Sequence, residues 1–207
     1  ITPLLIPSDF AYTPAIYNLP TNTLVDVDPY TIIGESLTFV ITNGTLPNEL
    51  TMNSQNGNIY GLVSVSHPFT TITIKAYNDV GFVSTDISFK FTNPPINFKY
   101  PKNEYYQVLN TEFEITPSLN GDPCIFSVVD GQLPPGLTIN QLTGTISGTP
   151  TTVGIYVMKI AAVNDGGIDN FIIGIAVMNI PTIQYPQAKY SIVRNTDNCF
   201  SPIYTGE

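Results

Sequence analysis

Residues 133–148 read LPPGLTINQLTGTISG, and residues 46–61 read LPNELTMNSQNGNIYG. The stretches lie 87 residues apart and share Leu-Pro-x-x-Leu-Thr-x-Asn-x-x-x-Gly-x-Ile-x-Gly without a gap. The first copy sets Leu46, Pro47, Leu50, Gly57, Ile59 and Gly61 where the second has Leu133, Pro134, Leu137, Gly144, Ile146 and Gly148. Agreement at so many Gly, Pro and Leu positions marks an internal duplication, the first thing to look for in a chain. Each residue type has a structural task here. Proline fixes a turn, leucine plugs an apolar interior, and glycine permits a tight approach or a positive φ. The glycines lack the strand–GxGxxG–helix setting, so phosphate binding has no support.

Outward from this motif a second pattern occurs three times. Tyr12, Tyr17, Asn22-Thr23 and Pro29 recur as Tyr100, Tyr105, Asn110-Thr111 and Pro117, and again as Tyr185, Tyr190, Asn195-Thr196 and Pro202. With this opening segment as A and the rest of each repeat as B, the chain reads A-B-A-B-A. Stretches such as 70–77, 82–92, 125–129, 154–163 and 170–178 are rich in Val, Ile, Phe, Thr and Tyr, and several alternate apolar with polar. That alternation predicts half-buried strands. Asn78-Asp79-Val80-Gly81 and Asn164-Asp165-Gly166-Gly167 predict hairpin turns between paired strands. The expected fold is all-β, with two tandem immunoglobulin-like β-sandwich domains followed by a terminal strand-like half-repeat.

Residues 133–164, LPPGLTINQLTGTISGTPTTVGIYVMKIAAVN, carry a resemblance. They resemble the immunoglobulin-like repeat family related to dystroglycan-type cadherin-like domains and bacterial-type Ig-like surface repeats. Residues 46–78 are a more divergent copy, with Asn48-Glu49 in place of Pro-Gly and Leu62-Val63-Ser64 in place of Thr-Pro-Thr. The resemblance covers nearly the whole chain. It implies modular surface or secreted proteins, usually not enzymes, and it names no ligand.

Composition narrows the function further. Of the 207 residues 43% are hydrophobic and only 11% charged, which excludes intrinsic disorder. Seven Lys and Arg against sixteen Asp and Glu give a net charge of −9, so no basic footprint exists for nucleic acid. No apolar run approaches the roughly 20 residues that a transmembrane helix needs. Cys124 and Cys199 make neither a disulfide framework nor a metal site, and their pairing stays open.

The candidate sites are few. His67 stands beside Pro68 without a nucleophile elbow, so a structural loop histidine is the better reading and no catalytic residue is assigned. Asp26, Asp28, Asp165 and Asp169 offer hard oxygen ligands in loops, which makes calcium the one candidate cofactor. Glu114 and Thr116 replace the first pair in the second repeat, so solvated turn acids are preferred. Asn43-Gly44-Thr45 is a sequon, a glycan acceptor if the protein is secreted. Recurrence of the tyrosines argues for packing, with rings buried and hydroxyls at the sheet rim, over a sugar-stacking platform.

The orphan segment A carries the functional expectation. Ile183, Tyr185, Tyr190, Ile192, Val193, Phe200 and Ile203 would leave large apolar side chains and unpaired backbone in water. The expected boundaries are an arm at 1–9, sandwiches at 10–94 and 95–181, and a tail at 182–207. In the alternative phase residues 1–26 are the free arm and the sandwiches fall near 27–111 and 112–207. The leading expectation is an extracellular or cell-surface filament subunit that joins copies of itself head to tail by β-strand addition. The alternative is an adhesin, carbohydrate-binding or spacer module from a longer surface repeat array.

Overall fold

A computed structural model of the chain describes residues 4–185, 189, 194 and 199–205. The first repeat holds nine strands: β1 (Ser8–Ala11), β2 (Ile16–Pro20), β3 (Thr23–Val27), β4 (Thr31–Ile33), β5 (Thr38–Asn43), β6 (Leu50–Met52), β7 (Ile59–Val63), β8 (His67–Asn78) and β9 (Gly81–Thr92). The second repeats them as β10 (Ile96–Lys99), β11 (Glu104–Val108), β12 (Phe113–Ile115), β13 (Ser118–Asn120), β14 (Ile125–Gly131), β15 (Leu137–Ile139), β16 (Ile146–Gly148), β17 (Gly154–Asn164) and β18 (Gly167–Met178). Among the described residues beyond these, β19 (Thr182–Gln184) and β20 (Ile203–Thr205) follow.

The first repeat builds a four-stranded sheet, β2-β9-β8-β5, a three-stranded sheet, β3-β7-β6, and the pair β1-β4. The second builds the same three sheets, β11-β18-β17-β14, β12-β16-β15 and β10-β13. In both, the segment A strand lies parallel to the last strand of the same repeat. Ile16 to Pro20 pair with Ser88 to Thr92, and Glu104 to Val108 pair with Gly174 to Met178. By contact the chain divides into two compact units. One holds the residues up to Asn97 with Leu119–Cys124 and Ala162–Asp169; the other holds Phe98–Ser118, Ile125–Ala161 and the residues from Asn170 onward.

Alternation along the strands makes each core. Ile72, Ile74 and Ala76 of β8 share one buried cluster with Ile87, Phe89 and Phe91 of β9 and with Ile59 and Val63 of β7, and Ile72 lies in register with Ile87. Met158, Ile160, Ile173, Ile175, Val177 and Ile146 do the same in the second sandwich. Each such side chain stabilises the fold by roughly 1.5–3 kcal/mol. An aromatic triad closes one end of each core. Phe10 lies 5.5 Å from Tyr12 and 5.6 Å from Phe39, ring centre to ring centre. Phe98 lies 5.8 Å from Tyr100 and 5.5 Å from Phe126.

The shared motif threads between these rings. Leu50 N–H donates to Pro47 O at 2.9 Å and Leu137 N–H to Pro134 O at 3.0 Å, so the Leu-Pro stretch makes the same turn twice. Gly57 and Gly144 sit at φ +77° and +70°. A Cβ on Gly144 would stand 2.7 Å from Pro117 Cγ and 2.8 Å from Phe126 Cδ1, both inside van der Waals contact. Gly144→Ala combines backbone strain with that crowding and is expected to cost about 2 kcal/mol or more. A urea denaturation midpoint for the variant that matches the wild type would count against this account of the glycine.

Candidate functional site

One side chain of segment A joins it to segment B in each sandwich. Asn53 and Asn140 shape a turn in which Gly57 N–H donates to Asn53 O at 2.9 Å and Gly144 N–H to Asn140 O at 2.8 Å. The glycine carbonyl then accepts a buried tyrosine hydroxyl. Tyr12 Oη donates to Gly57 O at 2.6 Å, and Tyr100 Oη to Gly144 O at 2.5 Å. Burial holds both phenols well above their ordinary pKa, and the charge of Asp28 adds to the rise at Tyr12. These hydroxyls are buried rather than at the sheet rim.

A second device also recurs. Asn78 Nδ2 donates to Leu5 O at 2.8 Å and Glu35 O at 3.1 Å, while its Oδ1 caps the following turn by accepting Val80 and Gly81 N–H. Asn164 Nδ2 donates likewise to Asn93 O and Asp122 O, and its Oδ1 accepts Gly166 and Gly167 N–H. The asparagine that opens each hairpin turn therefore also holds the segment that leads into the first strand of the repeat.

The acids named as calcium candidates have other neighbours. Asn58 Nδ2 donates to Asp26 Oδ1 at 2.8 Å and Asp28 Oδ1 at 3.0 Å. At the equivalent place in the second sandwich Thr116 and Thr145 share a hydroxyl contact of 3.1 Å. Both arrangements bridge neighbouring strands. Asp165 pairs with Lys90, and Asp169 lies half-buried in β18. No cluster of three or more His, Cys, Asp and Glu side chains occurs among the described residues.

His67 opens β8 instead of lying in a loop, and its register partner is Phe91. Its Nε2 is 3.3 Å from Glu49 Oε2, and Ser64 Oγ donates to Glu49 Oε1 at 3.5 Å. The carboxylate stands between serine and histidine, so no nucleophile contacts a base. Asn43 ends β5 with its side chain exposed. Cys124 is a buried free thiol, its pKa raised by burial, and Cys199 is a free exposed one.

The tail repeats a known pairing. Thr182, Ile183 and Gln184 of β19 lie opposite Thr205, Tyr204 and Ile203 of β20, antiparallel, as β10 lies beside β13. In sequence Ile183 and Tyr185 correspond to Phe98 and Tyr100. Tyr12 is 3% and Tyr100 2% exposed, whereas Tyr185 is 50% exposed. Ile183, Phe200 and Ile203 are also exposed; Tyr190, Ile192 and Val193 lie outside the described residues.

Tyr100→Phe leaves the Gly144 carbonyl without its donor and is expected to cost about 1–3 kcal/mol. The phenols also set a pH dependence. Their folded pKa lies above the unfolded value of 10.0, so stability present below that pH falls as the unfolded chain ionises above it. Thermal melts of the Tyr12→Phe/Tyr100→Phe double variant should lose less stability between neutral and strongly alkaline pH than the wild type. Equal losses would remove the buried phenols as the cause.

The comparisons with known proteins agree with this geometry. No curated protein matches the chain. Among solved structures, Sidekick-1 immunoglobulin domains 1–4 superimpose with a TM-score of 0.57 at 12% identity, covering 85% of this chain and 50% of that one. A three-Ig fragment of titin gives 0.53 at 12% identity, covering 97% and 88%. Drosophila OTK extracellular domains 3–5 give 0.51 at 15%, covering 82% of this chain, which spans 62% of theirs. At such identities the likeness is one of fold. The family described as "Putative Ig domain" matches twice, over residues 2–94 and 90–173, and the chain belongs to that family, as a tandem pair of its immunoglobulin-like sandwiches.

Proposed function

We propose that this chain is a non-catalytic structural segment of an extracellular or cell-surface repeat array. Its modules run over 10–94 and 95–181, and residues 182–207 form the opening half of a third. One observation carries the reading. The strands β19 and β20 pair as β10 and β13 do, while side chains equivalent to core residues are exposed at Ile183 and Tyr185. A segment B brought to this face supplies strand partners and a glycine carbonyl for Tyr185. The extracellular domains of OTK, similar in fold, support a place outside the cell. Among the described residues no helix is long and apolar enough to cross a membrane. The exposed Asn43 is the acceptor for a covalent glycan in such a setting.

The exposed face of the tail favours a second reading, in which segment B comes from another copy. Ile183, Tyr185, Phe200 and Ile203 then form the donated edge, and head-to-tail strand addition gives a filament. A charged fraction of 11% keeps self-repulsion small in such a polymer.

Sedimentation velocity and electron microscopy of the full chain at rising micromolar concentration separate the two. An array segment shows no open-ended growth, and Tyr185→Asp changes nothing in its sedimentation. Strand addition gives rods that lengthen with concentration and disappear in Tyr185→Asp. For the glycan, secretion from a eukaryotic host should yield a glycosidase-sensitive mass increment that Asn43→Gln abolishes; a wild-type chain of unmodified mass refutes it.

A further inference from the structure

We propose that the outward face of the β11-β18-β17-β14 sheet is an interface between two copies of this chain, packed about a two-fold axis. On this face Tyr106 is 72% and Ile155 83% exposed, and Val157 and Ile172 are each more than half exposed. Val153 and Met178 stand at the rim of the groove that Tyr106 and Ile155 line. Their alternation partners Met158, Ile160, Ile173, Ile175 and Val177 fill the core, so the sheet is apolar on both sides. Such a sheet has a second surface to cover.

The sister sandwich shows that the fold does not require this. There the same face is closed by polar pairs across β8 and β9: Thr71 with Ser88 at 2.8 Å, and Thr73 Oγ1 donating to Asp86 Oδ1 at 2.7 Å. In the second repeat Val157 and Gly174 stand where Thr71 and Ser88 do, and Ile172 replaces Asp86. Tyr106 replaces Asn18, and Ala176 replaces Lys90. One sandwich thus closes the middle of this face with polar pairs, leaving Ile16 and Val40 exposed beside them, and the other presents hydrocarbon at the central positions.

Area and charge point to a second copy as the occupant. Tyr106, Val153, Ile155, Val157, Ile172 and Met178 are each 38–83% exposed, a patch on the scale of a typical monomer's largest, roughly 300–600 Å², and of the about 800 Å² each partner contributes to a standard interface. The chain carries a net charge of −9, so like copies repel except across a neutral surface. This face carries few charges: Glu104 on β11 and Lys159 on β17, with Asp130 on the edge strand β14. A two-fold contact places residue i against j and j against i, so each copy's Glu104 meets the other's Lys159. The face is therefore complementary to itself.

Sedimentation equilibrium of the full chain tests the contact. The expected result is a finite monomer–dimer equilibrium whose Kd rises at least about tenfold in Ile155→Asp. Thr42→Asp, on the exposed surface of the first sandwich, should leave the Kd unchanged. Glu104→Lys and Lys159→Glu should each weaken the dimer, and the double variant should restore it. Circular dichroism melts verify that each variant is folded. A chain that stays monomeric throughout, or a folded Ile155→Asp that dimerises as the wild type does, overturns the proposal. Association abolished by Tyr185→Asp and untouched by Ile155→Asp is strand addition, and overturns it too.

Discussion

The whole arrangement rests on one buried hydrogen bond made twice: a tyrosine hydroxyl from the start of a repeat donating to a glycine carbonyl some forty-five residues later. A buried carbonyl without a donor is costly, and a buried phenol without an acceptor is equally so. Each half of a sandwich therefore carries a polar group that the other half alone satisfies. The glycine must be glycine, because its φ is positive and its Cα faces the rings of the aromatic triad. Leu-Pro turn, Asn-capped turn and tyrosine act as one device for holding segment A against segment B. The parallel pairing of β2 with β9 and of β11 with β18 then completes the larger sheet.

Most of this architecture was legible in the residues. Period-two alternation in 70–77 and 82–92 gave β8 and β9, and the Asn-Asp-x-Gly tetrads gave their turn, since those signals are local. The internal duplication made the family and the two-sandwich fold readable. What escaped was non-local. Nothing in 16–20 or 104–108 says that these strands lie parallel to the last strand of the same repeat, which is why two phases stood open. Tyr12 and Tyr100 were recognised as packing residues, yet the bond that their hydroxyls make needs the three-dimensional position of the turn. His67 looked like a loop residue because Pro68 follows it, whereas a register shift between His67 and Thr70 lets β8 begin there.

Where the two repeats differ, the differences are physical substitutions of one kind of contact for another. Asp28 and Asn58, joined by a carboxylate–amide bond, become Thr116 and Thr145, a hydroxyl pair across the same strands, while Asp26 becomes Glu114. Polar pairs on the outer sheet of the first sandwich become Val157, Gly174 and Ile172 in the second. The interior stays apolar over the same span while its side chains are exchanged: Phe89 and Phe91 become Ile175 and Val177, and Ile72 becomes Met158. Duplication kept the Tyr-to-Gly bond, the Leu-Pro turn and the aromatic triad, while both the remaining core positions and the surfaces diverged.

The parallel contact between the first and last strands of a module has a mechanical consequence. Chain enters at one end of β2 and leaves at the opposite end of β9, while five register pairs join the two strands. Tension on a module pulls these neighbours past each other lengthwise, so the rungs share the load at once instead of failing in turn like the teeth of a zip. A module pulled through these two strands therefore resists as a whole ladder.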